Sequence, residues 1–291
     1  MQHSTIGNLE VSRFGMGTKR LPRTDVTRVE RLDTDIAHDM LQEALTCGVN
    51  LFDTGYSHLK GQSESFLGEE LAQAETRTFV QTSFFELVDP RFEYVFQKQQ
   101  KKLDRTCIDL YTIEGTCDLT RMRDIDSGAA DFLFGRKEAG EISLLGFSSE
   151  LNAQNLKEHL KLYPWDFVRM RVNLFDWFEK GGREQYEVVS EAGLPIVAHA
   201  SLGMGPRDHL RPEALAVLKE ADVQRSEIEW ALRFVKSLEN VRAVTCNVYS
   251  AAQLREDCAV FDDDETLSDQ EFELLERAAA AQKTTPRGKR L

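Results

Sequence analysis

The chain has 291 residues, of which 41% are hydrophobic and 29% charged, and its formal net charge at pH 7 is −13. This composition is typical of a globular protein with enough apolar material for a core, and it excludes a disordered chain. The negative charge argues against a nucleic-acid or anionic-membrane partner, because both need clustered lysine and arginine. The basic run at residues 286–291 is expected to be a solvated tail.

The cysteines are five in number, widely spaced and without a C-x-x-C pair. This pattern predicts neither a disulfide framework nor a zinc ribbon or cluster. The N-terminus lacks a basic region followed by an apolar one, and no apolar run approaches the roughly 18 residues that cross a bilayer. We therefore expect a cytoplasmic protein without a membrane partner, and its oligomeric state stays open.

Short apolar runs rich in β-forming residues alternate with segments of helical spacing, which is typical of β/α units in a parallel sheet. Eight runs are candidate strands: residues 13–18, 49–54, 78–83, 107–115, 142–149, 167–174, 195–201 and 241–248. With no linker between them, they predict a single α/β domain over residues 1–291, a closed (β/α)8 TIM barrel. An open doubly wound sheet is the alternative, but no G-x-G-x-x-G follows an early strand.

Turn and cap signals set the ends of several elements. Residues 4–12 predict an N-terminal β-hairpin around Gly7 and Asn8, placed to plug the bottom of the barrel. Near the other end, Ser268 and Glu271 have the spacing of a capping box, which predicts a C-terminal helix. Three glycines are placed to end helices in the left-handed conformation just before a strand: Gly48, Gly140 and Gly193.

The active site of such a barrel lies at the carboxyl ends of its strands, so polar residues there are candidates for chemistry. The predicted strand ends carry Asp53, Tyr56, His58, Ser83, Glu114, Ser148, Arg169, Arg171, His199 and Asn247. Asp53 ends an apolar strand, where its charge needs either a partner or the backbone amides of a cap.

Two further candidates have alternative interpretations. His58 is either a general acid or a solvated loop histidine, and Glu114 either transfers protons or forms an ion pair with Arg169 or Arg171. A mixed nitrogen and oxygen metal site is disfavoured, because an H-x-x-E-H type spacing is absent, and we expect no metal. Three aromatic residues near the sixth strand are candidates for a pocket or for core packing: Trp165, Trp177 and Phe178.

Segments from residue 5 to residue 280 resemble, in order, the aldo-keto reductase superfamily. They include LEVSRFGMGTKRLP, GVNLFDTGYSHLKGQSESFLGEEL, LDRTCIDLYTIEG, AGEISLLGFSS, SEIEWALRFVKSLENVRAVTCNVYSAAQLRED and LSDQEFELLERA. The resemblance implies a (β/α)8 barrel that binds a nicotinamide cofactor and reduces carbonyls by hydride transfer, with a tyrosine as the acid. It is strongest to a bacterial branch that often carries a cysteine-rich ferredoxin-like segment. No such segment follows here, so no iron–sulfur cluster is expected.

The catalytic positions implied by this resemblance are altered. Asp53 matches the family's aspartate, but the tyrosine position falls on His58, and Tyr56 lies two residues early. Ser83 stands where a lysine is usual, and Glu114 where a histidine is usual. The resemblance therefore implies that Asp53 has lost its lysine partner. A histidine acid is still possible, since its ordinary pKa is about 6.5 and Glu114 could hold it protonated.

The adenosine end of the implied cofactor site has also changed. Asn247 and Gln253 occupy the positions of a lysine and an arginine around the 2′-phosphate of NADPH. Neither is cationic, so a charge-assisted grip on that phosphate is missing unless Arg255 supplies it. Asp257 falls where an asparagine usually meets the adenine. The resemblance therefore leaves NADP and NAD open as cofactors.

At the nicotinamide end, the resemblance places Ser148 and Arg169 near the carboxamide and the ring of His199 against the nicotinamide. Leu202, after the seventh strand, is a further expected cofactor contact.

Three hypotheses follow for the whole chain. In the first, it is an oxidoreductase that acts on a small carbonyl or alcohol and uses a proton donor other than the usual tyrosine. In the second, it is a non-redox acid/base enzyme such as a lyase or isomerase. In the third, it is a catalytically silent binding protein.

Overall fold

The computed structural model describes residues 1–24, 31–120, 122–199, 201, 210–221 and 225–283. Strands and helices alternate along these ranges, as the hydrophobic patterning predicts. The strands are β1 (His3–Ile6), β2 (Leu9–Ser12), β3 (Phe14–Gly17), β4 (Arg23–Thr24), β5 (Arg31–Leu32), β6 (Leu51–Asp53), β7 (Phe79–Phe84), β8 (Ile108–Cys117), β9 (Ile142–Glu150), β10 (Phe167–Arg171), β11 (Ile196–His199) and β12 (Val241–Asn247).

The α-helices lie mainly between barrel strands. They are α1 (Thr34–Thr46), α2 (Gln62–Leu71), α3 (Phe92–Leu103), α4 (Arg123–Asp126), α5 (Ala129–Glu138), α6 (Ala153–His159), α7 (Leu174–Glu179), α8 (Gly182–Glu191), α9 (Pro212–Leu218), α10 (Glu227–Lys236), α11 (Ala251–Ala259) and α12 (Asp269–Lys283). A short 3₁₀ turn, His58–Gly61, precedes α2. Within the described ranges, no helix combines the length and the apolar character needed to cross a membrane.

Eight parallel strands close into a barrel in the order β3, β6, β7, β8, β9, β10, β11 and β12, and β12 pairs with β3. The predicted (β/α)8 barrel is therefore confirmed. Because all eight strands run in one direction, their carboxyl ends meet at one mouth. The sixth barrel strand ends at Arg171, earlier than predicted, because the side chain of Asn173 caps α7 by accepting from the amide of Asp176 at 2.8 Å.

The other end of the barrel is closed by the N-terminal hairpin. Strands β1 and β2 pair antiparallel across Gly7 and Asn8, where Gly7 has a φ of 57°. The hairpin side chains Ile6, Leu9 and Val11 share one apolar cluster with the lowest inward-facing residues of the barrel. Those residues are Leu51, Phe79, Leu110, Leu144, Phe167, Val197 and Ala243. The hairpin thus seals the bottom, and the polar residues lie above this layer.

The predicted caps form as the sequence indicates. The amide of Ser268 donates to Glu271 Oε2 at 2.8 Å, and the amide of Glu271 donates to Ser268 Oγ at 3.4 Å, which completes the capping box before α12. The three helix-ending glycines Gly48, Gly140 and Gly193 have φ values of 81°, 77° and 72°. The antiparallel pair β4 and β5 was not predicted, because two-residue strands are too short for a periodic signal.

Candidate active site

The loop after β6 brings His58 to the barrel mouth. The amide of His58 donates to the carbonyl of Gly55 at 2.9 Å, and the next two residues, Leu59 and Lys60, have φ values of 49° and 57°. Left-handed non-glycine residues cost about 1–3 kcal/mol each and cluster at functional sites. Only 8% of His58 is exposed. The histidine therefore belongs to a shaped loop and is not the solvated residue that the sequence left open.

The imidazole of His58 presents one nitrogen to the site. A Cβ atom on Gly55 would lie 3.1 Å from both His58 Nε2 and Ser83 Oγ, so these two atoms border the same narrow space. His58 Nδ1 is buried and has no hydrogen-bond partner among the described residues. Any side chain at position 55 would wedge between Nε2 and the hydroxyl, which explains the glycine there. Nε2 is thus the nitrogen placed for chemistry.

An arginine links the two carboxylates at the mouth. Arg169, on β10, donates from Nη2 to Asp53 Oδ2 at 2.9 Å and from Nη1 to Glu114 Oε1 at 3.2 Å. Ser83 Oγ donates to the other oxygen of Glu114 at 2.9 Å. Asp53 has no lysine partner on the third strand, as the resemblance implies, but Arg169 on the sixth strand supplies the cation instead. The expected ion pair between Glu114 and Arg169 is present.

Strand alternation explains how Arg169 reaches this position. Phe167 points into the apolar layer at the bottom of the barrel, and two residues later the same face of β10 carries Arg169. Asp53 stands above Leu51 on β6 in the same way. The sequence contained a signal for this pair, since buried carboxylates at an apolar strand end need a cation. It could not identify the cation, because 116 residues separate the partners.

Burial and the charge cluster set the protonation of the site. Burial lowers the pKa of His58 to about 4, and the opposing effect of Glu114 offsets only part of this, while Lys19 and Arg169 lower it further. Burial raises the pKa of Glu114, but Arg169, Ser83 and His58 together bring it below its usual range. The possibility that Glu114 holds His58 protonated is therefore disfavoured, because burial outweighs the charge of Glu114. The histidine is neutral at pH 7 beside an ionised glutamate.

Asp53 is the more deeply buried of the two carboxylates. Burial raises its pKa above the usual range, although the charge of Arg169 offsets part of that effect. The side chain of Glu114 keeps 29% of its surface exposed, against 8% for Asp53. Asp53 therefore anchors Arg169 from below, and Glu114 faces the open mouth.

Tyr56 lies apart from this cluster. Its hydroxyl donates to Asp89 Oδ2 at 3.4 Å, and the ammonium of Lys102 lies 4.9 Å from its ring centroid. Burial, followed by the charge of Asp89, raises the pKa of the phenol. Tyr56 thus has no hydrogen bond to Asp53, Ser83 or Glu114 among the described residues. This weakens the interpretation of Tyr56 as an alternative proton donor.

The residues expected near the nicotinamide occupy adjacent strand ends. Ser148 is 4% exposed and pairs in register with Arg169, whose two terminal nitrogens are occupied by the carboxylates and not directed to a carboxamide. His199 Nε2 is buried without a hydrogen-bond partner among the described residues. Burial, with Arg169 and Arg171, lowers the pKa of His199 well below its usual value. Leu202 lies outside the described residues.

Of the residues expected at the adenosine end of a cofactor, Gln253 and Asp257 are bonded to each other. Gln253 Oε1 accepts from the amide of Tyr249 at 3.0 Å, and its Nε2 donates to Asp257 Oδ2 at 3.0 Å. Asp257 is fully buried. Arg255 is paired with Glu43 on α1 at 2.8 Å, so it does not supply the missing cation. Asn247, at the end of β12, is uncharged.

One cation that the sequence did not single out lies nearby. Arg20, in the loop after β3, donates to the hydroxyl of Tyr249 at 2.5 Å, and its guanidinium carbon is 5.8 Å from that ring centroid. Its position became evident only through the pairing of β12 with β3.

In the parts of the chain that the structure describes, no three His, Cys, Asp or Glu side chains are grouped as metal ligands.

The chain is similar to known proteins along most of its length. The model of the aldo/keto reductase family matches residues 13–280. Uncharacterized oxidoreductases of Mycobacterium bovis and Mycobacterium tuberculosis are 29% identical over 144 residues, which cover 48% of this chain and 43% of each relative. The match thus spans less than half the length of those relatives.

Solved structures show the same fold. The holo form of an aldo-keto reductase from Bacillus halodurans superposes with a TM-score of 0.77 at 23% identity over 97% of both chains. An aldo/keto reductase from Brucella melitensis superposes with a TM-score of 0.70 at 15% identity, covering 95% of this chain and 97% of its own. Together with the family match over residues 13–280, these likenesses lead to one conclusion: the chain belongs to the aldo/keto reductase family.

Proposed function

We propose that the protein is an oxidoreductase that transfers hydride between a nicotinamide cofactor and a small alcohol or carbonyl substrate, with His58 in the place of the usual tyrosine. One observation carries this proposal. His58 Nε2 borders the space that Ser83 Oγ also faces, and Ser83 is bonded to the Glu114–Arg169–Asp53 cluster at the barrel mouth. Family membership supplies the reaction class, and the cluster supplies a group that can move a proton.

The residues at the mouth fit a nicotinamide. His199 offers a buried ring nitrogen without a partner among the described residues, and Ser148 offers a hydroxyl on the adjacent part of the barrel. A buried polar atom of this kind gains a hydrogen bond when a ligand amide arrives. When bound, the cofactor accepts or supplies the hydride. The protein's own contribution is to hold the substrate oxygen near His58 Nε2.

The neutral state of His58 favours one direction at pH 7. With a pKa of about 4, its Nε2 is free to accept the hydroxyl proton of an alcohol while hydride leaves the carbinol carbon. The charge of Glu114 stabilises the imidazolium that forms. In the reverse direction, carbonyl reduction needs the imidazolium to donate that proton, and this form is scarce at pH 7. We therefore propose His58 as the base of alcohol oxidation.

The test is a pH profile in both directions. Alcohol oxidation should hold a plateau in kcat/KM above about pH 6 and fall as His58 takes a proton near pH 4. Carbonyl reduction should rise over the same interval as pH falls. His58→Ala should lower both rates by about 10²–10⁴-fold while the nucleotide still binds. The matched control is Tyr56→Phe, which removes a hydroxyl outside the cluster and should leave the profile in place.

The adenosine end supports NADH as the preferred cofactor. Gln253 is held between Tyr249 and Asp257, and Arg255 is held by Glu43, so neither position offers a charge to a 2′-phosphate. Protein fluorescence titrated with NADH and with NADPH should show the tighter binding for NADH. This preference would be overturned if NADPH bound as tightly as NADH or more tightly. If Arg20→Gln then removed the NADPH binding, Arg20 would be the residue that binds the 2′-phosphate.

Non-redox acid/base chemistry is a second candidate, because a neutral buried histidine beside an ionised glutamate is a base that needs no cofactor. The nucleotide titration separates the two functions. If neither nucleotide binds at millimolar concentration, the oxidoreductase proposal fails. Turnover of a hydroxylated or unsaturated substrate that still depends on His58 would then favour a lyase or isomerase.

A further inference from the structure

A cavity lies outside the barrel, between α7, α8 and α12. Its volume is about 360 Å³, and it shares no residue with the cluster at the mouth. Four half-buried aromatic side chains line it, Trp177, Phe178, Tyr186 and Phe272, and the buried Leu238 lines it too. The volume is within the range of small-molecule sites. The cavity is therefore a candidate site independent of catalysis.

The aromatic walls are fixed by packing. Trp177 lies against Tyr186 with ring centroids 5.2 Å apart and an interplanar angle of 60°. Trp177 and Phe272 each pack edge-on against Phe234, at 5.5 and 5.9 Å, and Phe234 is fully buried. The hydroxyl of Tyr186 accepts from the amide of Asn240 at 3.0 Å, which fixes that ring as well. Rings held this way lose little freedom when a ligand binds.

The rim of the cavity has an excess of negative charge. Arg183 and Glu187 form an ion pair at 3.0 Å and offset each other. Glu273 and Glu276 lie one turn apart on the exposed side of α12, and neither has an ion pair with any residue that the structure describes. An anion would be repelled here. A neutral apolar ligand would gain nothing from the two glutamates.

We propose that this cavity binds a small organic cation of the alkylammonium class. Aromatic rings attract a poorly hydrated cation through their negative faces, and cages of aromatic side chains recognise quaternary ammonium groups. Four such rings line this cavity: Trp177, Phe178, Tyr186 and Phe272. The two unpaired glutamates at the rim strengthen that attraction at moderate salt. This inference does not depend on the reaction at the barrel mouth.

The experiment compares choline with its neutral isostere 3,3-dimethylbutan-1-ol at constant ionic strength. Trp177 is the half-buried tryptophan at this site, while Trp165 and Trp230 are 5% and 2% exposed, so quenching of tryptophan fluorescence reports on Trp177. Choline should bind saturably and about 10-fold more tightly than the neutral isostere, since cation–π attraction is absent for the alcohol. Binding should persist in His58→Ala.

Surface variants test the role of the rim without altering the walls. The double variant Glu273→Gln and Glu276→Gln should reduce the preference for choline to about 3-fold or less, with an unchanged circular dichroism spectrum. The matched control Arg183→Gln removes the opposite charge and should leave or increase the preference. Equal binding of choline and its isostere, no saturation by either, or a preference that both variants retain would overturn the proposal.

Discussion

Arg169 pairs with two carboxylates, the buried Asp53 and the partly buried Glu114, and without it the burial of Asp53 would be costly. In the family pattern a lysine on the third strand faces the aspartate, whereas here the third strand offers Ser83 and the cation comes from the sixth strand. The charge at the centre of the site has therefore moved across the barrel without being lost. Ser83 carries no charge, and its hydroxyl donates to Glu114 and helps to orient that carboxylate.

Removing this cation should destabilise the protein in a pH-dependent way. Arg169→Gln leaves the buried Asp53 and the partly buried Glu114 without their cation, which costs about 3–5 kcal/mol at pH 7. Glu114 has a lowered pKa in the wild type, so its share of the stability is present above the unfolded pKa and is lost as pH falls through the folded one. Asp53, with its raised pKa, does not add to that share. Urea denaturation at pH 7 and pH 4.5 should show the deficit shrinking at the lower pH.

The control for this prediction is the exposed Arg183. Arg183→Gln should change the free energy of unfolding by less than about 0.5 kcal/mol at both pH values. Adding Glu114→Gln to Arg169→Gln should recover part of the loss, because one of the two unpaired carboxylates is then gone. A deficit of equal size at both pH values would show that packing, and not charge, explains the role of Arg169.

The sequence named the members of this cluster and offered Arg169 as one of two possible partners of Glu114, but it did not pair Asp53 with Arg169. Asp53, His58, Ser83 and Glu114 follow from their places at strand ends, since the barrel brings strand ends together. The pairing of Asp53 with Arg169 and the low pKa of His58 depend on side-chain burial. Burial is set by the closed barrel and is not readable from local spacing.

The crossing of α2 and α3 supports the third strand of the barrel. A Cβ atom on Gly68 would lie 2.2 Å from the carbonyl oxygen of Lys102, so the two helices meet backbone to backbone. One turn earlier on α2, the fully buried Glu64 accepts from Gln99 of α3 at 2.8 Å. Gln99 also donates to the carbonyl of Ser83 at 2.9 Å. This helix pair therefore fixes the strand end that carries Ser83.

Alanine at two helical glycines should give opposite results. Gly68→Ala forces α2 away from α3 and should lower the free energy of unfolding by about 1–3 kcal/mol or more. Gly135→Ala, inside α5, meets open space and should raise it by about 0.5–1 kcal/mol through helix propensity. Urea denaturation of both variants beside the wild type checks this. Equal changes at the two positions would contradict the close approach at Gly68.

The ends of helices were predictable from the sequence where a residue type strongly favours one backbone conformation or one capping position. Gly140 and Gly193 mark helix ends because left-handed conformations favour glycine, and Ser268 with Glu271 marks the start of α12. Gly68 gave no such signal. Its importance comes from a neighbour 34 positions later in the chain, and only the packed helices reveal it.

At the scale of the whole molecule, stability and chemistry lie at opposite ends of the barrel. The alternation of strands and helices predicts closure, and closure predicts both the position of the mouth and the need to seal the bottom. The hairpin seals it with Ile6, Leu9 and Val11, which pack on the apolar layer. The charged cluster stands on the other side of that layer, so the two ends should respond independently to mutation.

Truncation at the sealed end tests this separation. Ile6 is fully buried in the apolar cluster, so Ile6→Ala should open a cavity and lower the free energy of unfolding by about 2–5 kcal/mol. Nucleotide affinity and the pH profile of turnover should stay as in the wild type, because the layer of Leu51 and Phe167 lies between the hairpin and Arg169. The exposed neighbour Glu10 provides the control, since Glu10→Ala should change neither property. A shift in the pH profile of Ile6→Ala would show that the hairpin also sets the burial of His58, and through it the proton transfer.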